Sequence, residues 1–201
     1  MGPPLLPGTT TLQAALLDER TRPDFRAAFA ALARQSTDIA TAVTRVRLST
    51  MDLTESELGG VESFRVLVAE MNAIHLTAEA RGLVNDPARS SRLTLLQRML
   101  EAGNLELRAA PLAGWSPDFT VFSGASGPLA VLIGAHSFER PYPHPGPALC
   151  SLHSVEAARL ARDRHSEIWE TAHDIGPAVW NILSRARGHR AMGSGGTADP
   201  S

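Results

Sequence analysis

The chain contains no lysine: all 19 of its basic residues are arginine. The preference reads as a compositional bias, but its consequence is chemical. A Walker-type phosphate loop, a Schiff-base lysine and a catalytic lysine are all excluded. Cysteine is nearly absent too. Cys150 stands alone, which rules out an internal disulfide and a thiolate metal cluster and points to a reducing, cytoplasmic setting. No run approaches the roughly 18 uninterrupted apolar residues of a membrane span. The opening MGPPLLPGTT lacks the charged and apolar regions of a signal peptide, so no membrane partner is expected. There is little excess charge of either sign. The formal net charge is −2, so direct nucleic-acid binding is not expected.

What is present fits one ordinary globular domain: 201 residues, 43% of them hydrophobic, enough to bury a core without disulfides. Residues 1–19 read as a tail with a short helix over Leu12–Asp18, 20–187 as the domain, and 188–201 as a disordered Gly- and Ser-rich tail.

The run from Leu105 to Phe138 holds three strand signals. LELRA (105–109) follows a helix-ending Gly103-Asn104 pair. DFTVF (118–122) is aromatic and β-branched. PLAVLIG (128–134) is a short apolar run framed by glycines. The last two are spaced as a hairpin around SGASG (123–127). DIATAVTRVRLSTM (38–51) and FRVLVAEM (64–71) alternate as strands. TESELGG (54–60) reads as a turn or short helix, and IHLTAEARG (74–82) is ambiguous.

Helices are expected over Thr21–Gln35, Arg92–Ala102, after a loop at 85–91, and Val155 to about His173. Phe25, Ala28, Phe29 and Leu32 make the first stripe; Ala158, Ala161, His165, Ile168, Trp169 and Ala172 make the last. Ser154 is placed to cap that last helix. Gly176-Pro177 separates it from a final helix carrying Val179, Trp180 and Leu183. Four prolines in FERPYPHPGPAL (138–149) impose an irregular loop, with a strand edge following at 149–154. The pattern is an α/β fold with a mixed central β-sheet flanked by helices.

This order of elements resembles one half of the phospholipase D-like fold over roughly residues 20–175. LQRMLEAGNLELRAAP resembles the family's helix and strand leading to its motif, WSPDFTVF and VLIGAHSF its motif hairpin, and EAARLARDRHSEIWETA its closing helix. GAHSFERPYPHPGPAL is similar to wording in domains attached to bacterial transcriptional regulators. The family motif is His-x-Lys, an Asp five residues later, then Gly-Ser-x-Asn; the His attacks phosphorus while Lys and Asn hold its oxygens. On that alignment the His position is Ser116, the Lys position Asp118, the Asp position falls near Ser123, and the last segment is Gly134-Ala135-His136-Ser137. The resemblance therefore implies an inactive phosphodiesterase site with no catalytic residues. A single half also implies a homodimer, whose partner supplies the second half of a two-fold site.

Other constellations are weaker. Glu170-Thr171-Ala172-His173 matches one Glu-x-x-His element of a di-iron bundle, but no second copy exists, so no metal and no cofactor are expected. His165 and His173, two turns apart, read as surface or core histidines. His153, Ser154 and Glu156 are too close in sequence for a triad. Arg159, Arg162 and Arg164 read as a solvated helix face.

Arg108, Trp115, Asp118, His136 and Arg140 are the side chains expected to line a cleft at the strand ends. The functional expectation is a non-catalytic ligand-sensing or protein-interaction module, with a small-molecule or phospho-ligand or a regulatory protein as partner. The alternative is a hydrolase using His136 as base and Asp118 as its orienter.

Overall fold

The computed structural model describes residues 14–17, 29–45, 48, 55–110, 118–133, 149–152 and 155–193. These form an α/β domain around one mixed sheet of eight strands. In chain order the elements are β1 (Ala14–Leu17), α1 (described over 29–34), β2 (Asp38–Arg45), α2 (Glu55–Leu58), β3 (Ser63–Glu70), α3 (Ala73–Asn85), α4 (Pro87–Ala102), β4 (Leu105–Ala109), β5 (Phe119–Gly124), β6 (Gly127–Ile133), β7 (Leu149–Leu152), α5 (Val155–Thr171), β8 (His173–Asp174) and α6 (Gly176–Gly193). The spatial order is β1-β7-β6-β5-β2-β3-β4-β8. Strands β2, β3 and β4 are mutually parallel, and β5 returns antiparallel against β2.

Alternation along the strands sorts side chains to two faces. On one face Ile39, Val43, Phe64, Val66, Val68, Leu105, Leu107, Phe122 and Leu132 pack against residues of α1, α3, α4 and α6. On the other, Ala40, Ala42, Leu67, Phe119, Val121 and Val131 pack against Ala158 and Trp169 of α5. The second core is thinner and rich in alanine. Among the described residues no helix is long and apolar enough to cross a membrane.

The hairpin of β5 and β6 closes at Ala125-Ser126, with a register shift at Phe122/Ser123. Gly127 sits at φ 112°, a conformation that costs a side-chain-bearing residue. Helix α4 ends as the Gly103-Asn104 pair predicts. Gly103 lies at φ 74°, its N–H reaches the Leu100 carbonyl at 3.2 Å, and the Asn104 N–H reaches that of Met99 at 2.9 Å, a Schellman closure.

Several expectations need correction. Residues 14–17 form a strand, not a helix, because pairing with β7 outweighs the weak preference of so short a segment. β7 is accordingly not an edge: it lies between β1 and β6. The ambiguous stretch at 74–82 belongs to α3. Asn72 caps it by accepting from the N–H groups of Ile74 and His75, both at 3.1 Å, and Leu76, Ala80 and Val84 recur every fourth residue inward. Helix α4 begins at Pro87 rather than Arg92, with the Ser90 N–H bonded to the Asp86 carbonyl at 2.9 Å. Proline suits a first helical position, where no N–H is needed. Helix α5 stops at Thr171, so His173 is not on it. His173 and Asp174 instead pair with Ala109 and Arg108. Helix α6 runs through Gly188, where a disordered tail was expected, to Gly193.

Candidate ligand-binding site

The cleft is expected at the strand ends, and of its described residues Arg108 lies near the end of β4 and Asp118 immediately before β5. Of its five side chains, Trp115, His136 and Arg140 lie outside the described residues, as do Ser116, residues 134–137 and Ser154, the expected cap. Arg108 and Asp118 are described, and no hydrogen bond or ion pair joins them. Asp118 Oδ1 accepts from both the backbone N–H and the hydroxyl of Thr44, each at 2.8 Å. The carboxylate thus ties the start of β5 to the end of β2. Ser123, the other motif position on β5, lies at the opposite end of that strand. Five residues of strand span about 17 Å, so Asp118 and Ser123 do not share a site.

Arg108 points from β4 toward α5. Its guanidinium carbon lies 4.6 Å from the centre of the Trp169 ring, and Nη1 donates to the Trp169 carbonyl at 3.0 Å. The residue therefore closes the last turn of α5 as both a cation–π partner and a carbonyl cap. Its other terminal nitrogen is 4.0 Å from Glu106. Beside it opens a surface groove of about 410 Å³, bounded by the end of α4, β4 and the start of α6. Leu100, Leu105, Leu107 and Pro177 supply its apolar lining; Glu101, Glu106, Arg108, Asp174 and Trp180 supply polar and aromatic groups. Trp180 is 37% exposed, and its indole N–H donates to Glu101 at 3.1 Å. Asp174 accepts from the Gly176 N–H at 2.8 Å, at the start of α6.

A second polar group sits under α5, toward the start of β2. Arg65 Nη2 donates to Asp38 Oδ1 at 2.9 Å; Arg162 Nη2 lies 3.3 Å from Asp38 Oδ2, and its Nη1 donates to the Ser123 hydroxyl at 2.6 Å. One carboxylate thus faces two guanidinium groups. His165, one turn further along α5, is 0% exposed, and no hydrogen bond of ordinary geometry reaches either ring nitrogen. It stacks on Trp169, with centroids 5.4 Å apart, and meets the edge of Phe119. Burial, and then the positive charge of Arg65, lower its pKa from 6.5 to about 4; nearby backbone groups of Thr41 and Arg65 and the charge of Asp38 only partly offset this. At neutral pH the imidazole is uncharged.

Sequence reasoning missed Asp38 and Arg65 and assigned Arg162 to solvent. Two signals pointed to them. Arg65 shares the alternating face of β3 with Leu67, and Arg162 falls on the same helical stripe as Ala158 and His165. Arg159 and Arg164 are exposed, as expected. Among the described residues no group of three or more His, Cys, Asp or Glu side chains is placed to hold a metal ion.

No family model matches the chain, and no curated protein matches it. Solved structures do resemble it. NucT from Helicobacter pylori is 9% identical, with 82% of this chain and 99% of that one covered, at a TM-score of 0.49. Nuc from Salmonella typhimurium, a phospholipase D family member, is 13% identical over 82% of this chain and 97% of that one, at 0.47. TrmBL2, an archaeal chromatin protein described as showing a novel mode of DNA binding, is 12% identical at 0.45. The match covers 81% of this chain and about half of TrmBL2, 53%. These are likenesses of fold and carry no argument about chemistry. The expectation that direct nucleic-acid binding is absent is withdrawn, because a structure of similar fold is described as a DNA-binding chromatin protein.

Proposed function

We propose that the chain is a ligand-sensing or protein-interaction module of phospholipase D-like architecture, which binds rather than cleaves. The observation that carries this reading is the state of Asp118. It stands where the resemblance requires a phosphate-binding lysine, and its Oδ1 is committed to two donors of Thr44. A carboxylate at that position repels a phosphodiester, and the chain has no lysine to replace it. Binding is assigned instead to the groove at β4. Arg108 is the anticipated residue that borders it, and exposed Trp180 offers a flat face for stacking.

The test has two arms. In the first, purified protein is incubated with bis-p-nitrophenyl phosphate and with single-stranded DNA; no turnover above buffer is expected, and turnover that disappears in Asp118→Ala overturns the reading. In the second, sugars, nucleotides, phospho-compounds and short single- and double-stranded DNAs are screened by thermal shift. At least one class is expected to raise the Tm of the wild type but not of Trp180→Ala. A ligand whose effect survives that substitution, or a panel in which nothing binds, counts against the groove.

A further inference from the structure

We propose that α5 is an acid-releasable arm: protonation of His165 undocks this helix from the sheet while the rest of the domain stays folded. The inference rests on the α5 interface alone and not on the groove.

Three features of that interface support it. First, its core is separate from the larger one on the other face. Among the described residues α5 is the helix that covers Ala40, Ala42, Leu67, Val121 and Val131, and much of what it buries is alanine. An element held by a core of its own can open as a unit below the global unfolding free energy. Second, His165 lies at the centre of the contact, wholly buried, with no hydrogen bond of ordinary geometry to either nitrogen and only backbone groups of Thr41 and Arg65 nearby to favour its charged form besides Asp38. An imidazolium there would bury a charge that its surroundings only partly compensate. Third, the surroundings favour the neutral ring. Facing it from β3 is Arg65, from β2 Asp38, and from α5 itself Arg162; Arg108 of β4 reaches the same helix through Trp169, with Glu106 behind it. β5 contributes Ser123, and its Asp118 is held by Thr44 at the far end of the strand. β6 contributes no ionisable group. Asp38, already shared by two guanidinium groups, is the carboxylate in this cluster, so a third cation has no counterion of its own.

The sign follows from the folded value of about 4 against 6.5 in the open helix. The open state binds the extra proton, so docking is at full strength above about pH 6.5 and weakens as pH falls toward 4. Between about pH 7.5 and pH 5 the opening constant of α5 should rise about 30-fold, with about sevenfold of that between pH 6 and pH 5.

Hydrogen exchange followed by mass spectrometry, corrected for intrinsic exchange at each pH, reads this directly. In the wild type, peptides from 155–171 are expected to lose protection over that range, while peptides from 63–70 in β3 stay within twofold. His165→Phe keeps an aromatic ring and removes the titration; it should abolish the response. His75→Asn, at an exposed position, should keep it. If His165→Phe does not fold, the wild type still decides the matter through the imidazole signals of His165 by NMR. Their protonation must follow the same pH curve as α5 opening. Loss of protection in α5 and β3 together, an unchanged α5, or a response that persists in His165→Phe would each overturn the proposal.

Discussion

Buried polar pairs show at the residue scale how little tolerance the sheet interior has. Thr41 and Thr120 face each other across β2 and β5, both buried, with their hydroxyls 3.1 Å apart. Each is the other's partner in an otherwise apolar layer. Thr120→Val should therefore cost about 1–2 kcal/mol, because it strands the Thr41 hydroxyl. The double variant Thr41→Val/Thr120→Val should recover most of that loss, since two apolar groups replace a satisfied pair. Urea denaturation of the three variants checks the prediction; additive losses would show that the hydroxyls do not interact. Asp38 poses the same question with full charges. Asp38→Ala leaves Arg65 and Arg162 facing each other without a carboxylate, and should cost about 2–3 kcal/mol. The loss should shrink when Arg162→Met is added, as measured by the same denaturation midpoint.

Backbone conformation decides the sign of a substitution at the scale of elements. Gly127 and Gly82 both have open space where a Cβ would stand. Gly127 lies at φ 112° in the β5–β6 turn, so Gly127→Ala should destabilise by about 1–2 kcal/mol through backbone strain alone. Gly82 is inside α3, so Gly82→Ala should stabilise by about 0.5–1 kcal/mol. Thermal melts of the two variants should move in opposite directions. The same scale explains which elements were legible. β3, β4 and the β5–β6 hairpin carried strong period-2 or apolar signals framed by turn residues, and the end of α4 was marked by its glycine. β1 and β8 carried none. They are strands only because β7 and β4 present edges that need covering.

For the whole molecule, the sheet divides the domain into two unequal cores. The larger core, with α1, α3, α4 and α6, makes the fold. The smaller holds α5 through alanines, a neutral histidine and the Arg108–Trp169 contact. Sequence by itself determined the chemistry that is excluded and the order of elements. Absent lysine and a lone cysteine are compositional facts, and hydrophobic periodicity is local, so both survive without coordinates. It also placed Ala158, His165 and Trp169 on one inward stripe. Only the tertiary structure decided where the polar groups meet. Asp118 went to Thr44, Arg108 to the end of α5, and Arg162 to Asp38 and Ser123, partners 39 to 124 residues away in sequence. The physical reason is that a charged side chain's pattern along a strand or helix reports which face it occupies. Its partner is set by strand order and register, through parallel crossovers that no local spacing encodes.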